Sequence, residues 1–397
     1  MRDGLNHGGR GLRAARLAVT GIFFLNGFAI ASWFVRIPAV QEDLGLSEGL
    51  LGVALLGAAV GAIVAMPATG WLVSRFGSRP VVGVAALLLF AALLLPALAP
   101  SLALLTLALV VFGASNGALD VSMNAHGVAV EKRYEGPILS SFHAAFSLGG
   151  LVGSALGGLV ASWGAGVFPH FLAVGGAAAL AAVPLYAVLL PAGADASGPG
   201  EAGEAGGPAF AWPTRAILGL GIVSFCVLLG EGAMADWSAV YLEGTLGTGP
   251  GLAAAGYATF SLAMFAGRLV GDRLNRRFGP ATLVRSGGAL AAVGLGVSLA
   301  VAHPFAALAG FAGAGLGFSI VFPVALSAAG RTREMPSGQA IAAVSSAGYF
   351  GFLVGPPLIG FFAEFAGLGG ALYVVVALSA TIALLSRTVE RKGGKAP

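Results

Sequence analysis

Charge is scarce in this chain. Asp, Glu, Lys and Arg make up 10% of its 397 residues, against roughly 25% in a soluble globular domain, which excludes a water-soluble enzyme. Cysteine is nearly absent, since Cys226 stands alone inside an apolar run. No intrachain disulfide and no multi-cysteine metal site is therefore possible. The five histidines are scattered without metal-ligand spacing, and the sequence contains no ATP-binding loop. Neither a metal nor any other cofactor is expected.

Hydrophobic residues make up 57% of the chain, and its 64 glycines and 20 prolines are spread through long apolar runs with no three-residue period. That pattern fits neither collagen nor a disordered chain and describes a polytopic membrane protein. Runs of about 17 to 27 apolar residues bounded by charge, Gly or Pro predict twelve transmembrane helices. They start near Leu17, Leu50, Val81, Ser101, Ile138, Phe168, Ile217, Leu252, Ser286, Phe305, Ala340 and Leu368.

The basic residues then acquire a side. With the amino terminus in the cytoplasm, every Lys and Arg except Arg36 falls in the tails, in the connections on that face, or at the inner ends of the eighth and ninth helices. This is the positive-inside pattern, and it places both termini in the cytoplasm of a multi-pass protein of the cytoplasmic membrane. The pI near 9.5 is thus a topology signal, and nucleic acid is not expected as a partner. Arg10, Arg13 and Arg16 followed by an apolar run and Ala29-Ile30-Ala31 also resemble a signal peptide. Cleavage there would leave eleven spans and set the basic loops against the tails, so the run is read as the first helix.

Residues 191–213, rich in Gly, Ala, Pro and acid, read as a flexible cytoplasmic linker between a six-helix half at 1–190 and a second at 214–397. An internal repeat supports the division. A shift of 202 residues puts Arg75-Phe76-Gly77 on Arg277-Phe278-Gly279, and Gly149, Gly153 and Gly158 on Gly351, Gly355 and Gly360. A shift of 204 matches Trp33 with Trp237. Glycine spacings of four let helices approach closely, and packing is the expected use of these positions.

Two loops at the repeat distance, GWLVSRFGSRP from Gly70 and GRLVGDRLNRRFGP from Gly267, resemble the signature turn of the major facilitator superfamily. Ser74 stands where that turn usually carries an acid, so the resemblance assigns the inner gate to Arg75, Gly77, Arg79 and Arg276 together with an i, i+4 pair of Arg268 and Asp272. Three further stretches, GFAIASWFVRIPAVQEDLGLS from Gly27, ALDVSMNAHGVAVEKRYEGPILSSFHAAFSLGGL from Ala118 and GEGAMADWSAVYL from Gly230, are similar to a bacterial branch of that superfamily related to the fucose/proton symporters. The resemblance implies an all-α membrane fold of two pseudo-symmetric six-helix halves that rock about a central cavity. It implies secondary transport without naming a cargo.

The few polar residues inside the spans carry the chemistry, because an ionisable group in hydrocarbon is costly and normally faces a cavity or a partner. Gly113, Asn116, Gly117, Asp120 and Asn124 share one face of the fourth helix, with Asp120 near the midplane. Glu231, flanked by Gly230 and Gly232, lies near the midplane of the seventh helix, where it suits a broken helix, and Asp236 lies nearer the outer surface. Asn26 and Trp33 of the first helix and Trp237 of the seventh complete the expected cavity set, with an aromatic belt as the competing role for both tryptophans. Arg36 and Asp236, of opposite charge and similar depth, are expected to pair as an outer gate. His126 and His143 read as interfacial hydrogen-bonding residues.

Two motif matches are set aside. Gly45-Leu46-Ser47-Glu48-Gly49 matches a nucleophile elbow but joins two membrane helices, where Ser47 reads as a cap. Gly313, Gly315 and Gly317 lie inside a span and form no dinucleotide loop. The reading is a monomeric transporter in membrane lipid, moving a small polar, sugar-like solute by alternating access with protons as the coupling ion. A uniporter or exporter of the same fold and a non-transporting membrane sensor are the alternatives.

Overall fold

A computed structural model describes residues 3–134, 138–191, 215–332 and 337–390. Among them the chain is helical throughout, without strands. Helix follows from the solvent: in hydrocarbon every backbone polar group must be satisfied within its own segment. In chain order the helices are α1 (Asp3–Phe34), α2 (Ile37–Asp43), α3 (Glu48–Phe76), α4 (Ser78–Ala92), α5 (Leu102–Glu131), α6 (Leu139–Ser162) and α7 (Val167–Ala187). The second group is α8 (Arg215–Val240), α9 (Pro250–Phe278), α10 (Pro280–Val301), α11 (Pro304–Phe318), α12 (Val321–Gly330), α13 (Ser337–Ala371) and α14 (Tyr373–Leu384).

Eleven stretches among the described residues are long and apolar enough to cross a membrane, and Tyr373–Leu384 is a shorter apolar helix. The twelfth crossing begins where the sequence placed it. Gly367 breaks α13 at φ 67°, and Leu368–Ala371 continues into α14. Two crossings are themselves interrupted: α1 gives way to α2 around Arg36, and α11 gives way to α12 at Ser319 and Ile320. Glu231, by contrast, sits in the uninterrupted α8. Its flanking glycines do not break the helix. Gly230 instead lies against Phe318 and Gly232 against Phe352. The expected linker beyond Pro191 lies outside the described residues.

The repeat seen in sequence is a repeat of backbone geometry. Gly77 and Gly279 take the same conformation, φ 80° with ψ 160° and 158°, one that L side chains rarely adopt. Each amide closes the preceding helix on a carbonyl, Gly77 on Val73 at 2.8 Å and Gly279 on Asn275 at 2.9 Å. Each preceding arginine lies over the neighbouring phenylalanine, at 5.6 Å for Arg75 and Phe76 and 5.2 Å for Arg277 and Phe278. A second matched pair was not apparent from sequence alone. A Cβ at Gly113 would run into the Ala58 carbonyl, and a Cβ at Gly315 into the Phe260 carbonyl, so the α3–α5 and α9–α11 contacts are equivalent at the same 202-residue shift.

The other glycines divide by role. Gly149 and Gly153 pack α6 against α1 inside the first half, and Gly351 packs α13 against α8 inside the second. Gly158 meets Gly251 and Ala254, and Gly360 meets Glu48 and Gly52, so these two lie on the seam between halves. That seam consists of α6 against α9 and α3 against α13.

Candidate functional site

The helices alternate in direction, so Arg75, Arg79, Lys132, Arg133, Arg276, Arg277 and Arg331 collect at one end of the bundle. The two halves meet closely at the other end. There the Glu364 carboxylate of α13 accepts the Gly49 amide of α3 at 2.8 Å and bonds the Ser47 hydroxyl. Phe34 of α1 also stacks edge-on against Tyr257 of α9 at 4.9 Å between ring centroids.

Towards the arginine-rich end the interface opens into a cavity of about 360 Å³. Ser140 and His143 of α6, Glu231 of α8, Arg268 and Asn275 of α9 and the α11–α12 break at Ser319 line it, together with apolar Leu228, Ile320 and Phe322. Non-helical backbone at this depth is tolerated where it borders a cavity. The side-chain carbonyl oxygen of Asn275 is buried without a hydrogen-bond partner among the described residues.

Glu231 and Arg268 form an ion pair at 4.0 Å, with side chains 17% and 18% exposed. Arg268 also reaches across the seam: one guanidinium nitrogen donates to the Ser147 hydroxyl at 2.6 Å and to the His143 carbonyl at 3.3 Å. Sequence had placed Arg268 in an inner-gate pair with Asp272. Asp272 continues α9, but its side chain lies outside the described residues. The contacts of Arg268 assign it to the cavity wall.

Asp120 occupies a second polar position. The Asn124 amide donates to its carboxylate at 3.1 Å and to its backbone carbonyl at 2.8 Å, and the Tyr349 hydroxyl of α13 hydrogen-bonds the carboxylate from the other half. Asn116, one turn away, keeps a buried side-chain carbonyl oxygen without a partner among the described residues. Asn26 is fully buried between α1 and α5, its amide on the Met123 sulfur at 3.6 Å.

Both tryptophans are core residues rather than belt residues. Trp33 is buried against Phe112 and Phe171. Trp237 is buried beside Gly360, its indole N–H without a partner among the described residues. Belt residues sit with one end in water, a position neither ring has.

The expected pairing of Arg36 with Asp236 is not formed; among the described residues no ion pair joins them. Arg36 lies in the break between α1 and α2, 4% exposed, and turns towards the α6–α7 connection. It donates to the Ala165 and Gly166 carbonyls and to His170. Backbone acceptors satisfy it, which leaves Asp236 on α8 without a described ion-pair partner. The remaining arginine-rich-end residues make their described contacts inside their own halves. Arg79 bonds the Tyr186 and Ala187 carbonyls at the end of α7, Arg75 lies over Trp71 and Phe76, and Arg276 is exposed.

His126 joins three elements from a buried position. Its ring meets the Ser78 hydroxyl at 2.7 Å and accepts the Leu190 amide at 3.1 Å. Sequence reasoning missed Ser147, Tyr349 and Glu364 altogether.

The sequence profile of the Major Facilitator Superfamily matches residues 19–336. An uncharacterized MFS-type transporter of Yersinia pestis is 37% identical over 369 residues, covering 93% of this chain and 94% of its own. Among solved structures, a D-xylose-proton symporter superposes with a TM-score of 0.74 at 16% identity, covering 94% of this chain and 96% of the symporter. The Escherichia coli fucose:proton symporter superposes with a TM-score of 0.63, also at 16% identity, covering 95% and 98%. At that identity the two structures share the fold with this chain. The length of the profile match and the similarity to the Yersinia protein go further: this chain is a membrane transporter of the major facilitator superfamily.

Proposed function

We propose that the protein is a proton-coupled secondary transporter that moves a small polar, sugar-like solute across the cytoplasmic membrane by alternating access, with both termini cytoplasmic. The observation that carries this reading is the Glu231–Arg268 pair on the wall of a cavity between the halves. A carboxylate at this depth persists only with a partner or a route to water, and here it has both. Paired with Arg268 it presents no net charge, which suits a neutral solute with several hydroxyls. Hydroxyl, amide and imidazole groups of Ser140, Asn275, Ser319 and His143 offer hydrogen bonds, and Phe322 and Leu228 offer apolar surface.

Asp120 with Asn124 and Tyr349 serves as a second protonatable position, and Asn26, Asn116, Trp33 and Trp237 shape the walls behind it. Closure at Glu364 and Gly49 with a cavity towards the basic end corresponds to a state open to the cytoplasm. Arg36 and Asp236 then belong to the outer gate as separate elements. Arg75, Gly77, Arg79, Arg276 and Asp272 close the inner face in the opposite state. The protein works as a monomer in membrane lipid.

A thermal-shift screen of the purified protein against small polar metabolites identifies the solute, since a ligand of the folded state raises its apparent stability. Uptake of that solute into proteoliposomes, with and without an imposed proton gradient, tests the rest. Accumulation above the external concentration only with the gradient supports the reading. Equilibration without accumulation in both conditions contradicts it and identifies a uniporter.

A further inference from the structure

α11 stops at Phe318 and α12 starts at Val321, two residues before Pro323. Proline has no amide hydrogen to return to the carbonyl four residues earlier, and its ring crowds that carbonyl. Here the carbonyl belongs to Ser319. The Ser319 amide still closes α11 on the Gly315 carbonyl at 3.2 Å, and the Val324 amide opens α12 on the Ile320 carbonyl at 3.1 Å. Between those two bonds the amides of Ile320, Val321 and Phe322 and the carbonyls of Phe318 and Ser319 have no backbone partner among the described residues. The Ser319 hydroxyl satisfies none of them, since it donates to the Leu316 carbonyl at 2.8 Å.

The break is held in a seat. α9 presents Gly267 and Gly271 one turn apart, and a Cβ on the first would collide with Ser319 and on the second with Ile320. The first half shows the alternative. At the 202-residue shift that matches Gly113 with Gly315, Val121 stands in place of Pro323, and α5 runs unbroken from Leu102 to Glu131. Its polarity comes from side chains, with Asn116 and Asp120 at the positions that Phe318 and Phe322 hold in the second half. The second half carries polar backbone where the first carries polar side chains.

We infer that the α11–α12 break, opened by Pro323, is a main-chain binding site for the hydroxyl groups of the solute. Ser319, Ile320 and Phe322 line the cavity, and so does Asn275, whose side-chain carbonyl oxygen is buried without a hydrogen-bond partner among the described residues. Buried polar groups left unpaired are costly, and a bound molecule that pairs them recovers the cost. A hydroxyl both donates and accepts, whereas a carboxylate only accepts and an ammonium only donates. Solute hydroxyls donate to the Ser319 carbonyl or the Asn275 oxygen and accept from the Ile320 or Phe322 amide. Adjacent hydroxyls on a neutral polyol match a strip of backbone that offers both kinds of group within a few residues.

Recognition by the break rests on the reading of a neutral, sugar-like solute, and one experiment separates the two. Wild-type protein and Pro323→Ala are titrated with glycerol, erythritol, D-xylose and D-sorbitol, and with the charged D-xylonate and D-glucosamine, while the unfolding temperature is followed. Alanine supplies the amide that the Ser319 carbonyl lacks, so Pro323→Ala is expected to unfold no lower than the wild type. The concentration of the best polyol needed for half its stabilisation should rise about tenfold in that variant, the loss expected for one or two hydrogen bonds. General exclusion of polyols from protein surfaces raises both proteins alike and cancels in the comparison. Ser319→Ala, which keeps the carbonyl, is expected to cost less than Pro323→Ala. Equal responses of wild type and Pro323→Ala to every compound would overturn the site, and a polyol response common to both would still support the neutral solute. A response to D-xylonate or D-glucosamine alone, lost in Pro323→Ala, contradicts the neutral solute and leaves the break as the binding site. If Pro323→Ala fails to fold, hydrogen exchange in the wild type decides. The polyol should slow exchange at Ile320, Val321 and Phe322 while the outer end of α11 is unchanged, and unslowed exchange at those three amides overturns the site.

Discussion

The Glu364 carboxylate of α13 accepts the backbone amide of Gly49 at the start of α3, at 2.8 Å, across 315 residues of sequence. One half of the protein thereby caps a helix of the other. Ser47 is the local cap, accepting the Leu50 amide at 3.4 Å, so Glu364 adds a charged acceptor that exists only while the two halves touch. A charged acceptor at a helix start stabilises the contact that supplies it. Glu364→Ala should therefore shift the balance between closed and open states of this end several-fold towards the open one, and Glu364→Gln, which keeps an acceptor, by less. The check is modification of Leu56→Cys, one turn below Gly52 on the seam face of α3, by an impermeant thiol reagent in a Cys226→Ser background. An unchanged rate in Glu364→Ala excludes the latch.

The Gly113 and Gly315 contacts make a paired prediction about packing. Each lacks room for a methyl group because a carbonyl from the facing helix occupies the space. Overpacking of this kind costs about 1 to 3 kcal/mol. Gly113→Ala and Gly315→Ala should each lower the thermal unfolding temperature in detergent by several degrees. Gly11→Ala, where a Cβ meets nothing within 4 Å, should leave it unchanged. Equal effects at all three positions would contradict crowding by the facing carbonyls as the cause, and a loss at only one of Gly113 and Gly315 would contradict the equivalence of the two helix contacts.

Arg36 supports the α6–α7 connection rather than a charge pair with α8. Arg36→Ala strands the Ala165 and Gly166 carbonyls and should destabilise by about 2 to 4 kcal/mol, in the range of lost hydrogen bonds to a charged group and unpaired buried acceptors. Exchanging charges, with Arg36→Asp combined with Asp236→Arg, should recover none of that loss. Recovery of thermal stability in the double variant would show that the pair forms after all.

Asp120 and Tyr349 join the halves at a second level. Asp120→Asn should abolish accumulation against a gradient while leaving equilibration measurable, because the amide keeps the Asn124 contact and loses the proton. Tyr349→Phe removes only the hydroxyl and should slow uptake several-fold with a smaller effect on thermal stability. Wild-type accumulation by Asp120→Asn would remove Asp120 from the coupling pathway.

Helix positions were readable from sequence because a span of about 20 apolar residues has few alternatives in lipid. The start expected near Phe305 is Pro304, and that near Ser101 is Leu102. The largest displacement is at α1, which is helical from Asp3 rather than Leu17, and the next is at α10, which begins at Pro280 rather than Ser286. Its first turns carry Thr282 and Arg285, and a hydropathy boundary falls after such residues while the backbone is already helical. The Gly77 and Gly279 turns were also visible, since the same residues recur at a fixed shift.

The partners across the seam were not visible. Arg268 and Ser147 are 121 residues apart, and nothing in either segment specifies that α6 and α9 face one another. The acceptors of Arg36 are largely backbone carbonyls, which carry no side-chain signature. Matching helical depth suggested Asp236 in their place, yet depth along two helices says nothing about the direction in which a side chain turns.

Glu231, paired with Arg268 on the cavity wall, is proposed to carry the coupled proton. The most direct test is proton entry into proteoliposomes loaded with a pH-sensitive dye, started by adding the solute found in the thermal-shift screen. Solute-dependent acidification is expected with the wild-type protein. None is expected with Glu231→Gln, a variant that should still show the thermal shift with the solute and still exchange it across the membrane. Acidification by Glu231→Gln at the wild-type rate would contradict a proton role for Glu231.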